Sequence, residues 1–163
     1  MSSPAFVLMP GETRSGPSGG TWSTRLSGVD TGRLLTIGEA DMAPMSAGPP
    51  LHVHANEDEA SLVVEGVLTV QLGGERYDVP AGGIAWLARG VPHTFANLTA
   101  ERVRVFGVIA PAGLEEMFEA INAYVLASGG RPDPARIMEI NERYGVTALG
   151  PPIEVPAAPI ARS

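Results

Sequence analysis

Histidine is the residue type in this chain best suited to chemistry, and the chain contains only three. Two of them, His52 and His54, are two positions apart in the segment Leu51-His52-Val53-His54. Residues two apart on a β-strand point to the same face, so these imidazoles should lie side by side, about 7 Å apart along the strand. Both rings could then reach one ion through metal–nitrogen bonds of about 2.0–2.1 Å. The spacing therefore indicates a metal site.

Two more residues complete the candidate site. Glu59 is five positions beyond His54, an offset that a regular strand would turn to the opposite face, so its use as a ligand requires a bend or bulge over residues 55–58. His93 follows Gly90-Val91-Pro92, which indicates a turn into another strand, and only a closed sheet could bring it to the same ion. The expected ligand set is His52, His54, Glu59 and His93. It suits one divalent transition metal per chain, and Fe, Mn, Ni, Co, Cu and Zn all stay open.

Short strands must position these residues. Apolar segments separated by Gly and Pro predict strands near residues 34–37, 59–64, 67–72, 75–79, 84–87, 93–97 and 102–109. We expect one hairpin around Glu65-Gly66 and another at Gly73-Gly74. Trp86 and Phe95 are expected in the barrel core. Strands this short and this regularly spaced indicate an all-β sandwich or barrel.

The hydrophobic period changes after the strands. Apolar residues at helical spacing predict an amphipathic helix over residues 113–127. Asp133-Pro134 is a typical start for a second helix, which should end before Gly145. The predicted organisation is an N-terminal arm (1–30), a barrel (31–111), C-terminal helices (112–146) and a Pro-rich tail (147–163). We expect Trp22 and Leu26 to pin the arm onto the barrel, and the tail to be a mobile or docking segment.

Composition excludes several classes of function. The 11 basic and 18 acidic residues give a net charge of −7, which repels the phosphates of nucleic acids. No apolar run approaches the roughly 20 residues that span a bilayer, and the N-terminus lacks the pattern of a secretory signal. The absence of cysteine removes thiolate chemistry and fits a cytoplasmic protein. We therefore expect a small-molecule partner, with no nucleic acid and no membrane.

Two patterns resemble the two motifs of the cupin family. His52-x-His54-x4-Glu59-x6-Gly66 is similar to the first motif, and Gly82-x5-Ala88-x-Gly90-x2-His93-x3-Asn97 to the second, with Ala88 where the family usually has proline. The resemblance covers roughly residues 33–127. It implies an antiparallel jelly-roll (cupin) β-barrel with a C-terminal helical extension, and a metal inside the barrel.

Within that family, one further resemblance points to an activity. Gly48-Pro-Pro-Leu-His-Val-His with Glu57-Asp58-Glu59 resembles small bacterial single-cupin proteins described as quercetin 2,3-dioxygenase-like, and residues 111–118 and 144–152 do so too. The resemblance implies a dioxygenase that cleaves a flavonol-like or enolisable substrate with O2, with Glu59 accepting the proton of the substrate hydroxyl. Ser61-Leu62 replaces a more usual aromatic pair, which leaves less surface for stacking a flat flavonol.

Two alternatives stay open beside the dioxygenase. A non-redox cyclase or isomerase could use the same Lewis acid and base, and a non-catalytic cupin could hold a small ligand at the metal. Glu57 and Asp58 are expected to be solvated acids that shape the bend, and Asn97 to support a turn or strand end. Because a jelly roll has sheet edges and apolar faces that need covering, we also expect a homodimer with twofold symmetry.

Overall fold

Two antiparallel β-sheets form the body of the protein in a computed structural model that describes residues 5–14 and 21–159. The strands are β1 (Trp22–Leu26), β2 (Thr36–Met42), β3 (Ser46–Ala47), β4 (Leu51–His54), β5 (Asp58–Glu65), β6 (Val67–Leu72), β7 (Glu75–Pro80), β8 (Ile84–Leu87), β9 (His93–Asn97), β10 (Val103–Ala110) and β11 (Val146–Gly150). The helices are α1 (Gly28–Thr31), α2 (Leu114–Ala127) and α3 (Pro134–Arg143).

The order of the strands defines a jelly roll. One sheet has the order β1-β2-β10-β5-β8, the other has the order β11-β4-β9-β6-β7, and β3 pairs with β9. The strand pairs of the described residues are antiparallel. The chain passes repeatedly from one sheet to the other, as between β4 and β5 and between β9 and β10. The predicted all-β jelly-roll barrel with a C-terminal helical part is therefore confirmed.

Side chains from every second position of the strands fill the space between the sheets. Along β10, every second residue is buried and faces the inside, and β2 shows the same pattern. The buried cluster between the sheets comprises Ala40, Met42, Val63, Leu68, Val70, Ala85, Leu87, Val103 and Val105. Burial of each larger apolar side chain contributes about 1.5–3 kcal/mol, so this core holds the two sheets in a fixed relation.

Trp22 belongs to strand β1 and packs this strand onto the barrel. β1 pairs with β2, so residues 22–26 of the expected arm belong to the sheet. The Trp22 ring lies over the paired residues Gly38 and Gly107, where an added Cβ would approach the ring to 2.2 and 2.6 Å. It also packs against Phe118 of α2, at a ring-centroid distance of 6.1 Å. Two glycines thus make the space that one tryptophan fills.

The hairpin expected at Glu65-Gly66 is wrong. β5 pairs with β10 and β8, whereas β6 pairs with β7 and β9 in the other sheet. The single residue Gly66, with φ +78°, turns a corner between the sheets, and an added Cβ there would lie 2.4 Å from the carbonyl oxygen of Arg102. One residue is too short a loop for two paired strands. The hairpin at Gly73-Gly74 is confirmed, with Leu72 paired to Glu75.

The two predicted C-terminal helices are present at the predicted places. α2 follows Gly113, and the Asp133 side chain caps α3 by accepting from the amide of Ala135 at 3.0 Å. Their apolar residues pack with Ile109 and Val146 in a second buried cluster. None of the helices in the described ranges has the length and hydropathy needed to cross a membrane.

The segment expected to be a mobile or docking tail packs on the barrel through residue 155, and its first residues form a strand that the sequence did not predict. β11 pairs with β4, placing Val146 opposite His54 and Ala148 opposite His52. Ile153 is 2% exposed and packs with Ala96 and Leu98. The sequence did not predict this strand, because β11 is short and its partner β4 lies far earlier in the chain. Residues 160–163 of the predicted tail lie outside the described residues.

Candidate metal centre

The three histidines converge inside the barrel. His52 on β4 is the direct cross-strand partner of His93 on β9, and their ring centroids are 4.5 Å apart. The His54 ring lies 4.9 Å from that of His52 and 5.3 Å from that of His93. One potential ligand atom from each ring lies within 4.8 Å of the other two. The expected juxtaposition of three imidazoles is therefore present, and one ion could contact all three.

Hydrogen bonds at Nδ1 orient each ring. His52 Nδ1 lies 2.7 Å from the carbonyl oxygen of Pro50, and His93 Nδ1 lies 2.9 Å from that of Val91. His54 Nδ1 lies 3.4 Å from a carboxylate oxygen of Glu57. Because carbonyl oxygens only accept hydrogen bonds, the contacts of His52 and His93 favour a neutral ring with its proton on Nδ1 and a lone pair on Nε2.

The buried Nε2 atoms provide a test of whether a metal fits. Nε2 of His54 and Nε2 of His93 are buried and have no hydrogen-bond partner among the described residues. Leaving a buried polar atom unpaired costs about 1–3 kcal/mol. A metal ion would give both atoms a partner, and neutral imidazole nitrogen is a preferred ligand of divalent transition metals. The residues present therefore fit such an ion.

Glu59 reaches the same place from the other sheet. The chain bends at Ala55 and Asn56 as it passes from β4 to β5, so the bend that the sequence required is present. Glu59 Oε1 lies 3.4 Å from His54 Nε2, and the side chain is 15% exposed. Burial raises the pKa of Glu59, and the charge of Glu57 adds to the rise while His54 opposes it. The site thus combines three imidazoles with one carboxyl group.

Burial keeps His52 and His93 neutral. It lowers the pKa of His52 to about 3, with the nearby rings of His93 and His54 adding to the effect. Burial likewise lowers the pKa of His93. A neutral ring has a free lone pair for a metal, whereas a protonated ring has none. These two rings are therefore ready to bind a cation at neutral pH without first losing a proton.

The two acids before Glu59 have different environments. Asp58 forms an ion pair with Arg89 at 2.7 Å. Hydrogen bonds from the side chain and the backbone amide of Arg89 lower the pKa of Asp58. Asp58 therefore ties the bend to the loop before β9. Glu57, which we expected to be solvated, is instead 6% exposed, and its carboxylate lies behind His54. The sequence Glu57-Asp58-Glu59 does not indicate which of these acids is buried. The passage of the chain from β4 in one sheet to β5 in the other decides which side chain turns inward.

Asn97 supports a loop, as predicted. Its amide donates to the carbonyl oxygens of Ala43 and Glu101 at 2.9 and 2.7 Å, and its Oδ1 accepts from the amide of Thr99 at 3.0 Å. The hydrogen bonds join the end of β9 to the loop before β3. The arrangement is structural and lies at a strand end.

The two aromatic residues expected in the core differ from each other. Phe95 packs against the core cluster between the sheets, as predicted. Trp86 is 57% exposed, so its predicted core position is wrong. Ala85 and Leu87 are the buried residues of β8, and the alternation of the strand turns Trp86 to the outer face.

The position of the Trp22 ring was not predicted from the sequence. Ser61 is buried two positions beyond Glu59 on β5 and shares its face, and it pairs with Gly107 on β10. The space above Gly107 is filled by the ring of Trp22. The first strand therefore supplies an aromatic ring beside Ser61. A tryptophan so far from the motif residues gives no signal in the sequence that it belongs there.

Comparisons with known proteins agree with this architecture. Residues 38–109 match the family model described as the cupin domain. Over 116 residues, the chain is 32% identical to the quercetin 2,3-dioxygenase of Bacillus subtilis (strain 168). The match covers 71% of this chain and 32% of the enzyme, so the chain spans about a third of the length of that curated relative. The protein is therefore a member of the cupin superfamily that resembles quercetinase-like cupins.

Solved structures share the fold. A predicted oxalate decarboxylase from Thermotoga maritima superposes with a TM-score of 0.52 at 19% identity, covering 55% of this chain and 78% of that one. A cupin domain from Schizosaccharomyces pombe gives a TM-score of 0.50 at 16% identity, covering 58% and 63%. At these identities, the likeness concerns the fold alone.

The metal-free protein should lose stability as the pH falls from 6.5 towards 5. Folding lowers the pKa of His52 and His93, whereas unfolded imidazoles keep a pKa of about 6.5. Below pH 6.5 the unfolded state therefore binds more protons, and the free energy of unfolding decreases. Thermal melts in the presence of a chelator measure this, and His52→Gln should flatten the dependence. Equal pH slopes for the variant and the wild type would contradict it.

Proposed function

We propose that this protein is a metal-dependent dioxygenase that cleaves a flavonol-like or otherwise enolisable small molecule with O2. The observation that carries the proposal is the convergence of Nε2 of His54 and Nε2 of His93, neither of which has a partner in the described part of the chain, with the Glu59 carboxyl group in a buried site. The similarity to the Bacillus subtilis quercetin 2,3-dioxygenase supports the choice of reaction.

We assign the metal to His52, His54, His93 and Glu59. The Nδ1 hydrogen bonds to Pro50 and Val91 hold two of the rings, so little side-chain freedom would be lost on binding. A bound divalent transition metal would supply Lewis acidity toward a substrate oxygen and access to O2 chemistry. The metal is one ion per chain in this proposal, and the donor set suits Fe, Mn, Ni, Co, Cu and Zn.

Glu59 is the proposed base. A general base must lie within reach of the proton that it accepts, and the Glu59 carboxyl group lies at the site, 3.4 Å from His54 Nε2. Its carboxylate would accept the proton of the substrate hydroxyl, leaving an enolate whose electrons react with O2. Both oxygen atoms enter the product of a dioxygenase, so no outside reductant is required.

In this proposal, a flat substrate stacks on the ring of Trp22. Ser61 offers no stacking surface, but the Trp22 ring covers Gly107, which is the partner of Ser61 on the neighbouring strand β10. Phe118 packs against the same tryptophan. Offset stacking of a substrate ring on an aromatic side chain contributes about 0.5–1.5 kcal/mol beyond its buried area. The aromatic wall that Ser61-Leu62 lacks would then come from the first strand.

Incubation with quercetin tests the reaction. Protein loaded with Fe, Mn, Ni or Co should consume flavonol absorbance and O2 together in air, and neither under anaerobic conditions. Glu59→Gln should lower the rate by about 10²–10⁴-fold, because the base is lost. Glu65→Gln, the same change at an exposed position of the same strand, is the matched control. Equal turnover without O2 would replace the assignment by an isomerase or cyclase, and no turnover with any of these ions would refute flavonol cleavage.

We also propose a homodimer formed through the outer face of β5 and β8. Four apolar side chains are exposed there: Leu62 (37%), Val64 (52%), Ile84 (65%) and Trp86 (57%). Two chains of charge −7 repel each other, so their contact should avoid unpaired acids. The acid beside this face, Glu39, forms ion pairs with Arg25 at 2.9 Å and Arg104 at 3.8 Å. A second copy therefore fits this apolar face.

Light scattering at micromolar concentration tests the dimer. The wild type should have the mass of two chains, and Trp86→Glu should give a monomer, because a charge would be buried in the contact. Val29→Glu is the control, since Val29 is 88% exposed on α1, outside this face. A monomeric wild type, or a Trp86→Glu protein that remains dimeric, would refute this interface.

A further inference from the structure

His54 differs from the other two histidines in the partner of its Nδ1 atom. His52 and His93 each lie against a backbone carbonyl two positions earlier in the chain. His54 lies against the carboxylate of Glu57, three positions later, at 3.4 Å. A carbonyl oxygen carries a partial charge, whereas a carboxylate carries a full one, so the His54 ring has a distinct electrostatic environment.

Glu57 has no other evident task. Its side chain is 7% exposed, and within the described residues the hydrogen bond to His54 is its one hydrogen bond or ion pair. Burial of a carboxylate costs several kcal/mol unless hydrogen bonds and opposite charges compensate. The hydrogen bond to His54 is long, and Arg89, whose charge also acts on Glu57, forms its ion pair with Asp58, so part of that cost is left uncompensated. A cation on the far side of the same ring would compensate more of it.

We propose that Glu57 is a positioning residue that holds His54 with its proton on Nδ1 and its Nε2 lone pair directed to the metal. The carboxylate can only accept, so it selects the Nδ1–H tautomer and increases the electron density at Nε2. Glu57 and Glu59 then lie on opposite sides of the His54 ring, 3.4 Å from Nδ1 and Nε2 respectively. Their two negative charges together would offset the charge of a divalent ion.

The inference rests on the metal centre proposed above but makes a separate claim. It assigns the strongest donor of the three imidazoles to His54, and it assigns that strength to a residue that does not touch the metal. Loss of a residue that hydrogen-bonds a metal-binding histidine without touching the metal commonly weakens metal binding about 10–100-fold. The tautomer of His54 is a property of the metal-free protein as well, and it can be observed without any activity.

Two measurements on matched variants test the role of Glu57. Zn²⁺ affinity is measured by competition with a chromophoric chelator, and the histidine tautomers of the metal-free protein by long-range ¹H–¹⁵N spectra. Glu57→Ala should weaken Zn²⁺ binding about 10–100-fold and give mixed His54 tautomers, with His52 and His93 unchanged. Glu57→Gln should keep the tautomer, because its amide oxygen still accepts, and give an affinity between those of Glu57→Ala and the wild type. Glu65→Gln, which removes an acidic charge at an exposed position of β5, should match the wild type in both.

Each contrary result has a definite meaning. Wild-type affinity and wild-type tautomer in Glu57→Ala would overturn the inference. Wild-type affinity in the isosteric Glu57→Gln would overturn the role of the charge, and this variant serves that purpose even if the alanine variant does not fold. A wild-type protein that binds no Zn²⁺ would refute the metal centre itself, while the tautomer spectra would still decide whether Glu57 orients His54.

Discussion

The pairing of β4 with β9 is the constraint on which the site depends. His52 and His93 are opposite each other in that pair, and His54 shares the face of His52. A slip of one residue in register would turn the rings of one strand to the other side of the sheet. β11 pairs with the other edge of β4, placing Val146 and Ala148 opposite His54 and His52. The strand that carries two of the three imidazoles is therefore held on both sides.

The site places polar atoms where the fold alone gives them no partners. Among the residues that the structure describes, two Nε2 atoms are buried and have no partner, and the Glu57 and Glu59 carboxyl groups lie 3.4 Å from nitrogen atoms of the same ring. Such an arrangement costs folding free energy, and the apolar core between the sheets offsets that cost. A bound divalent ion would relieve both the unpaired nitrogens and the negative charge, so metal binding and stability should be coupled.

Features set by strand periodicity were predictable from the sequence, and features set by long-range packing were not. His52 and His54 share a face because they are two apart, and Asp133-Pro134 starts a helix by local capping. By contrast, the corner at Gly66 separates two strands that local pattern would pair, and β11 is defined only by its partner β4. Trp22 reaches the barrel through space that Gly38 and Gly107 leave open. Glu57 differs from Asp58 only in the side of the bend to which it turns.

The central claim is that three imidazoles and Glu59 bind a single transition metal. X-ray absorption of protein loaded with one equivalent of Zn²⁺ tests it most directly, together with the metal content of His93→Ala purified in the same way. We expect a first shell of nitrogen and oxygen at about 2.0–2.2 Å, with the outer scattering of imidazole rings, and a marked loss of metal from the variant. A shell without imidazole scattering, or full metal content in His93→Ala, would contradict it.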